Sequence, residues 1–204
     1  MRFGGQWARY AEAPMALRDF LGNLCTHTEL FTEIDHHRGQ GRILEVGVGT
    51  GSMSIFLSWL GYTVTAIDTS VEVLAGAARN HASFAGRPIR FVEGDAFELP
   101  FPADRFDVAF HQGLLEHFSD EEIHRLLDEQ LRVAPVVVAS VPNENYPRRD
   151  FGDERLMSQA EWERILAPYE QVTSRPYFEG ARRRLRRPKP IMYLATIRRG
   201  GWRT

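Results

Sequence analysis

A single cysteine, Cys25, stands among 204 residues, so the chain cannot close a disulfide within itself or build a zinc site from two thiolates. A reducing compartment, the cytoplasm, is the expected setting. The chain also lacks any apolar run near the roughly 20 residues that a membrane helix needs. Its longest, Val133 to Val141, is interrupted by Pro135, so no membrane span is expected. The opening Met1, Arg2, Phe3, Gly4, Gly5 turns polar without the apolar core of a signal peptide. Internal repeats and low-complexity tracts are missing, and lysine nearly so: of twenty-five basic residues all but Lys189 are arginine. What remains is 43% hydrophobic and 25% charged, a composition that excludes disorder and suits one packed domain at this length.

The net charge of −2 hides an asymmetry. Residues 175–204 carry ten basic side chains against the one acid Glu179, or +9, whereas residues 1–174 carry −11. The densest run, Arg182 to Lys189, falls between two β-rich segments and reads as a solvated loop. An anionic small substrate is the next reading, with nucleic acid disfavoured because no RNA-binding module accompanies the run.

Strand-like runs alternate with helical ones, which argues an α/β protein with a parallel sheet. Strands are expected at Arg42 to Val46, Thr63 to Ile67, Ile89 to Val92, Phe106 to Phe110 and Val136 to Val141. Helices are expected at Ser52 to Leu60, Val71 to Ala82, from Asp120 onward, and at Trp162 to Leu166. Thr69 with Glu72, Ser119 with Glu122 and Ser158 with Glu161 have capping-box spacing. Glu170 to Phe178 and Ile191 to Arg199 read as a terminal antiparallel pair. Ahead of the first strand, Gln6 to His37 reads as two helices broken near Pro14, packed across the sheet edge or over the site.

The chemistry concentrates after the first strand, in Glu45, Val46, Gly47, Val48, Gly49, Thr50, Gly51. Alternating glycines running into a helix let a ligand approach the backbone and present unpaired amides at the positive helix end. A dinucleotide fingerprint would place its third glycine at position 52, which is Ser52. The next strand ends in Asp68, twenty-one residues after Gly47, where a carboxylate can accept both ribose hydroxyl protons. Asp95 follows the third strand, where it can accept from an adenine amino group while the amide of Ala96 donates to the ring.

These motifs resemble the class I S-adenosylmethionine-dependent methyltransferases, in particular the small-molecule group that includes the ubiquinone-biosynthesis methyltransferases. ILEVGVGTG, VTAID and VEGDAFELPFPADRFDVAFHQGLLEHF carry the resemblance, over roughly Gly41 to Val141. It implies a Rossmann-like seven-stranded sheet of order 3-2-1-4-5-7-6 with the last strand antiparallel. Residues 1–204 would form one methyltransferase domain, with 1–40 a helical lid and 41–204 the core. It also implies S-adenosylmethionine as cofactor and S-adenosylhomocysteine as product. Glu45, Gly47, Gly49 and Gly51 would hold the methionine part, Asp68 and Thr69 the ribose, Asp95 and Ala96 the adenine. His111 and Gln112 would wall the methyl group, and Tyr10 would reach the cofactor carboxylate.

The implied reaction is an in-line methyl transfer to a small-molecule acceptor with an O, N or C nucleophile, in which alignment does much of the catalytic work. A base is needed only when the nucleophile arrives protonated. His111 is the first catalytic candidate, followed by Glu116 and His117, which otherwise read as capping or bracing the next helix. The spacing HxxxxEH matches no zinc-binding helix pattern, so no metal site is expected. The acceptor is expected to be anionic or aromatic, and the protein a monomer or homodimer. The competing functions are a nicotinamide-dependent oxidoreductase, opposed by Ser52, and a non-catalytic cofactor-binding protein.

Overall fold

A computed structural model describes residues 7–147, 151–179 and 189–199. Its framework is a seven-stranded sheet: β1 (Arg42–Val46), β2 (Thr63–Asp68), β3 (Arg90–Glu93), β4 (Val108–Gln112), β5 (Val136–Pro142), β6 (Glu170–Glu179) and β7 (Pro190–Arg198). The order is β3-β2-β1-β4-β5-β7-β6, parallel throughout except where β7 runs antiparallel to both β5 and β6. This is the Rossmann-like order expected. Chain direction changes at β1, from which β2 leads one way and β4 the other, opening a crevice beyond the carboxyl ends of the strands.

Helices α1 (Arg9–Glu12), α2 (Leu17–Thr26) and α3 (Thr28–His36) precede the sheet; α4 (Ser52–Trp59), α5 (Val71–Phe84), α6 (Asp120–Val133) and α7 (Gln159–Leu166) cross between strands. The N-terminal segment therefore holds three helices rather than two. Pro14 does fall in a break between helices, and a second break comes at His27. Ser119 and Ser158 each accept their N3 backbone amide while Glu122 and Glu161 reach back, completing the two boxes expected at α6 and α7. At α5 the cap is Ser70 rather than Thr69: its hydroxyl accepts from the Val73 amide, and Thr69 is left at the site. β4 begins two residues later than the sequence suggests, because the Phe106 and Asp107 amides bond back to Val133 and Arg42 in the approach to the strand.

The sheet has a packed core on each face. On one, Leu44, Ala109 and Val137 meet α6 and α7 through Leu126, Leu127 and Trp162; on the other, Ile43, Phe110 and Val138 meet Leu30, Ile34 and Leu57. Every residue of β5 is buried, as a strand covered on both faces requires. Each large side chain withdrawn from water contributes about 1.5–3 kcal/mol, so these layers set the sheet rigidly beneath the crevice. Below β1, Asp107 accepts from the Arg42 guanidinium at 2.7 Å and from the Arg42 and Gln40 amides, fixing the start of the strand that carries the glycine turn.

Candidate active site

A cavity of about 1030 Å³ runs along the carboxyl ends of the strands. At its centre β1 delivers Glu45 and the turn from Gly47 to Thr50; Gly51, left-handed at φ +78°, starts α4. A Cβ built on Gly49 would meet nothing within 4 Å, so this left-handed residue leaves open room where a side chain would stand. Gly51 is different. It does not line the cavity, and a Cβ there would come within 3.0 Å of the Ala77 side chain, so this glycine lets α4 pack on α5.

Toward β2 and β3 the wall holds Asp68, Thr69, Asp95, Ala96 and Phe97. Burial raises the Asp68 carboxyl above its ordinary value, against the amides of Ser70, Gly49, Val48 and Thr69, which favour its charge. The Ser70 amide lies 3.0 Å from Asp68 Oδ1. Asp95 is exposed and receives the Phe97 amide at 2.9 Å, turning the chain back after β3. Glu45 is buried at the end of β1, takes a hydrogen bond from the Ser54 hydroxyl, and is pushed up to about 8 by burial.

Across from these, Gln112, Leu114, Glu116 and His117 follow β4 into the wall, while Trp7 and Tyr10 close it from the N-terminal segment. The Trp7 ring meets His117 edge-on at 4.7 Å and Phe151 at 4.2 Å. His117 Nδ1 lies 2.9 Å from Asp153. Glu116 is 3% exposed, its Oε2 has no partner among the described residues, and burial pushes its carboxyl up to about 8, with Glu154 and Asp153 adding to the effect. His117, Asp153 and Glu154 bring ligand-type atoms within 4.8 Å of one another. The sequence pattern does not contain this grouping, since Asp153 and Glu154 arrive from beyond β5. Both Glu154 oxygens already accept amides, from Phe151 at 2.6 Å and Gly152 at 2.9 Å.

His111 requires a correction. It is wholly buried inside β4, does not reach the cavity, and neither ring nitrogen has a partner among the described residues. Burial lowers it to about 3, so it sits in the core as neutral imidazole, away from the cavity wall. In a strand covered on both faces, alternation does not reveal which side chains emerge at the end; Gln112, the next residue, does emerge.

Toward β5 and β7 the wall is Met53, Pro142, Tyr146, Phe178, Ile191 and Met192, with Asn23, Thr26 and His27 from α2 and the turn after it. His27 has no motif around it, and nothing local marks it as part of a site. The run Arg182 to Arg187 lies outside the described residues.

The acidic side chains on the described wall are Glu45, Asp68, Glu72, Asp95, Glu116, Glu122 and Glu154, with no lysine or arginine among them. That donor set suits a cationic ligand and opposes a dinucleotide's pyrophosphate. With room at Gly49 and Asp68 at a strand end, the residues present fit S-adenosylmethionine, whose sulfonium and ammonium groups are both positive. Fold and site thus define a Rossmann-like protein with an acidic cavity across its strand ends.

Comparison with known proteins agrees. Residues 43–135 match the family model described as a methyltransferase domain. YcgJ of Bacillus subtilis (strain 168), an uncharacterized methyltransferase, is 27% identical over 177 residues, covering 80% of this chain and 67% of its own. A demethylmenaquinone methyltransferase of Thermus thermophilus is 34% identical over 131 residues, covering 61% of this chain and 56% of its own. The crystal structure of magnesium protoporphyrin IX methyltransferase from Synechocystis PCC 6803 with bound SAH shares the fold at a TM-score of 0.65 and 15% identity, over 96% of this chain and 93% of that one. Over residues 43–135 the chain is thus similar to methyltransferase domains. It spans two thirds of the first relative's length and little more than half of the second's. Among the described residues no helix is long and apolar enough to cross a membrane.

Proposed function

We propose that this protein transfers a methyl group from S-adenosylmethionine to a small-molecule acceptor by in-line displacement. The observation that carries the reading is the wall of carboxylates arranged around a glycine turn, in a cavity able to hold an adenosyl cofactor with a small acceptor. Bound there, the cofactor supplies a methyl group already activated by the sulfonium charge. The chain's own task is then to hold, align and desolvate.

In this reading Glu45 and the backbone of Gly47 and Gly49 hold the methionine end, Asp68 and Thr69 the ribose, Asp95 and Ala96 the adenine. Gln112 stands where β4 meets the methyl-bearing end. Tyr10 and Trp7 close residues 7–40 over the cofactor as a lid on the core. His117, whose Nδ1 faces Asp153 and whose ring packs against Trp7 and Phe151, braces that lid. The exposed free thiol of Cys25 suits a reducing compartment, and we take the cytoplasm as the setting.

Calorimetric titration with S-adenosylmethionine, S-adenosylhomocysteine and NAD tests the reading. Micromolar binding of both adenosyl compounds without NAD is expected. Binding of NAD alone, or of none of the three, overturns it.

A further inference from the structure

His27 belongs to no motif, yet among the described residues it is the one histidine on the β5 and β7 half of the cavity wall. It stands at the break between α2 and α3, 5% exposed, where its Nδ1 lies 2.8 Å from the Tyr177 hydroxyl. That hydroxyl in turn lies 2.5 Å from the hydroxyl of Ser140 on β5. The three side chains come from three separate parts of the chain and form a buried polar chain that ends at the cavity. With Nδ1 engaged, Nε2 is the ring nitrogen left to a ligand.

The surroundings narrow what that ligand is. Met53, Tyr146, Phe178, Ile191 and Met192 belong to one apolar cluster, and Pro142 closes the end of β5. Among the described residues no charged side chain lines this half, whereas the carboxylates gather around β1 to β4 and the Phe151 to Glu154 segment. The strand order puts the glycine turn of β1 between the two halves. A cofactor whose adenosine lies toward β2 and β3 therefore directs its methyl end toward the apolar half. Phe178 and Tyr146 suit a flat, apolar molecule, and an ammonium or carboxylate group there would meet no opposite charge among the described residues.

We propose that the acceptor is a planar apolar hydroxyl compound, a phenol or enol, bound in the chamber between His27, Tyr146, Phe178 and Met192, and that His27 Nε2 accepts its hydroxyl proton. This deepens the methyltransferase reading and rests on it. In the productive tautomer Nδ1–H donates to Tyr177, Tyr177 donates to Ser140, and the Nε2 lone pair faces the acceptor. The acceptor oxygen forms a bond to the methyl carbon as the carbon–sulfur bond breaks with its electron pair passing to sulfur. The hydroxyl proton passes to Nε2 and the resulting imidazolium, held by the Tyr177 oxygen, releases it to solvent. Burial lowers His27 to about 4, with no charged neighbour adding to the effect, so the ring is neutral at neutral pH and its Nε2 keeps its lone pair. Tyr177 is raised by burial, against the hydrogen bond to Ser140 and with the charge of Glu29 pushing the same way, so it stays a hydroxyl.

The test uses 2-naphthol, with benzylamine and benzoate as alternatives, titrated into the full chain saturated with S-adenosylhomocysteine. Naphthol is expected to bind at least tenfold more tightly than the other two, and His27→Gln to weaken it while leaving S-adenosylhomocysteine affinity unchanged. Methylation of naphthol by His27→Gln should fall by about 10²–10³-fold at neutral pH and recover as pH rises through the naphthol's own ionisation. Tyr177→Phe, which keeps the ring in the core, should show about a tenfold loss with the same recovery. Equal or preferred binding of benzylamine or benzoate overturns the proposal, as does a folded variant that methylates like the wild type or whose loss does not recover at high pH. In either case the cofactor site stands. Failure of S-adenosylhomocysteine to bind the wild type removes the methyltransferase reading itself, and this proposal with it.

Discussion

Asp68 has two sets of partners. Its carboxylate takes the Ser70 amide and those of the glycine turn, tying the end of β2 to the loop after β1, and it stands on the wall where a ribose would lie. Asp68→Ala should therefore weaken S-adenosylhomocysteine by about 10- to 150-fold, the equivalent of ~1.5–3 kcal/mol of charge-assisted hydrogen bonding, and lower the melting temperature by several degrees while the chain stays folded, since the amides lose their acceptor. Calorimetry beside a thermal melt checks both halves. Gly49→Val is expected to abolish binding in the same titration, because it fills the open room and forces a branched side chain into a left-handed backbone.

The two buried carboxyls of the cavity predict a pH dependence. Glu45 and Glu116 are both pushed up to about 8, above the 4.5 of an unfolded glutamate. Between those values the folded chain holds protons that the unfolded chain has lost, so stability falls as pH rises from about 5 to 8 and levels off beyond. The melting temperature of the ligand-free protein should follow that course. Glu116→Gln, which cannot ionise, should flatten the slope and raise the melting temperature at pH 8 by about 2–4 °C for each kcal/mol relieved. An unchanged slope in that variant counts against the assignment.

At the scale of elements, α1 lies against α5 so closely that a Cβ on Gly76 would come within 2.9 Å of the Ala11 backbone. This contact brings Trp7 and Tyr10 over the cavity. Gly76→Ala gains about 1 kcal/mol of helix propensity in α5 while pushing α1 away. The expected result is a melting temperature held or raised, together with S-adenosylhomocysteine dissociating about tenfold faster in stopped-flow displacement. Loss of stability without faster release would mean that α1 is not a lid.

Much of this element level is legible in the sequence. The boxes at Ser119 and Ser158, the helix from Ser52 and the central strands follow from signals a few residues long, while the strand order was implied by the family resemblance. The N-terminal segment shows the limit. Pro14 marks one break, but the break at His27 has no proline or glycine to mark it, and the ring's partner there, Tyr177, lies 150 residues further on.

For the whole molecule, the cofactor should act as a stabilising ligand. At a concentration 100 times its dissociation constant, S-adenosylhomocysteine contributes about 2.7 kcal/mol, which for a chain of this size corresponds to a rise of about 5–10 °C in melting temperature. NAD at the same concentration should give no shift, since the described wall offers carboxylates to its pyrophosphate.

The sequence by itself determined the sheet, the glycine turn and the carboxylates at the strand ends, because each depends on neighbours in the chain: a strand end, a tight turn and a helix start lie within ten residues of one another. Only the tertiary structure decided which side chains face the cavity. His111 and Gln112 are adjacent in β4, yet one is sealed in the core and the other reaches the wall. Gly51 belongs to the same alternating run as Gly49, yet it meets Ala77 while Gly49 meets open space. His27, Tyr177 and Ser140 converge because α2, β6 and β5 pack around one chamber, and contacts made across such distances in the chain leave no local pattern to read.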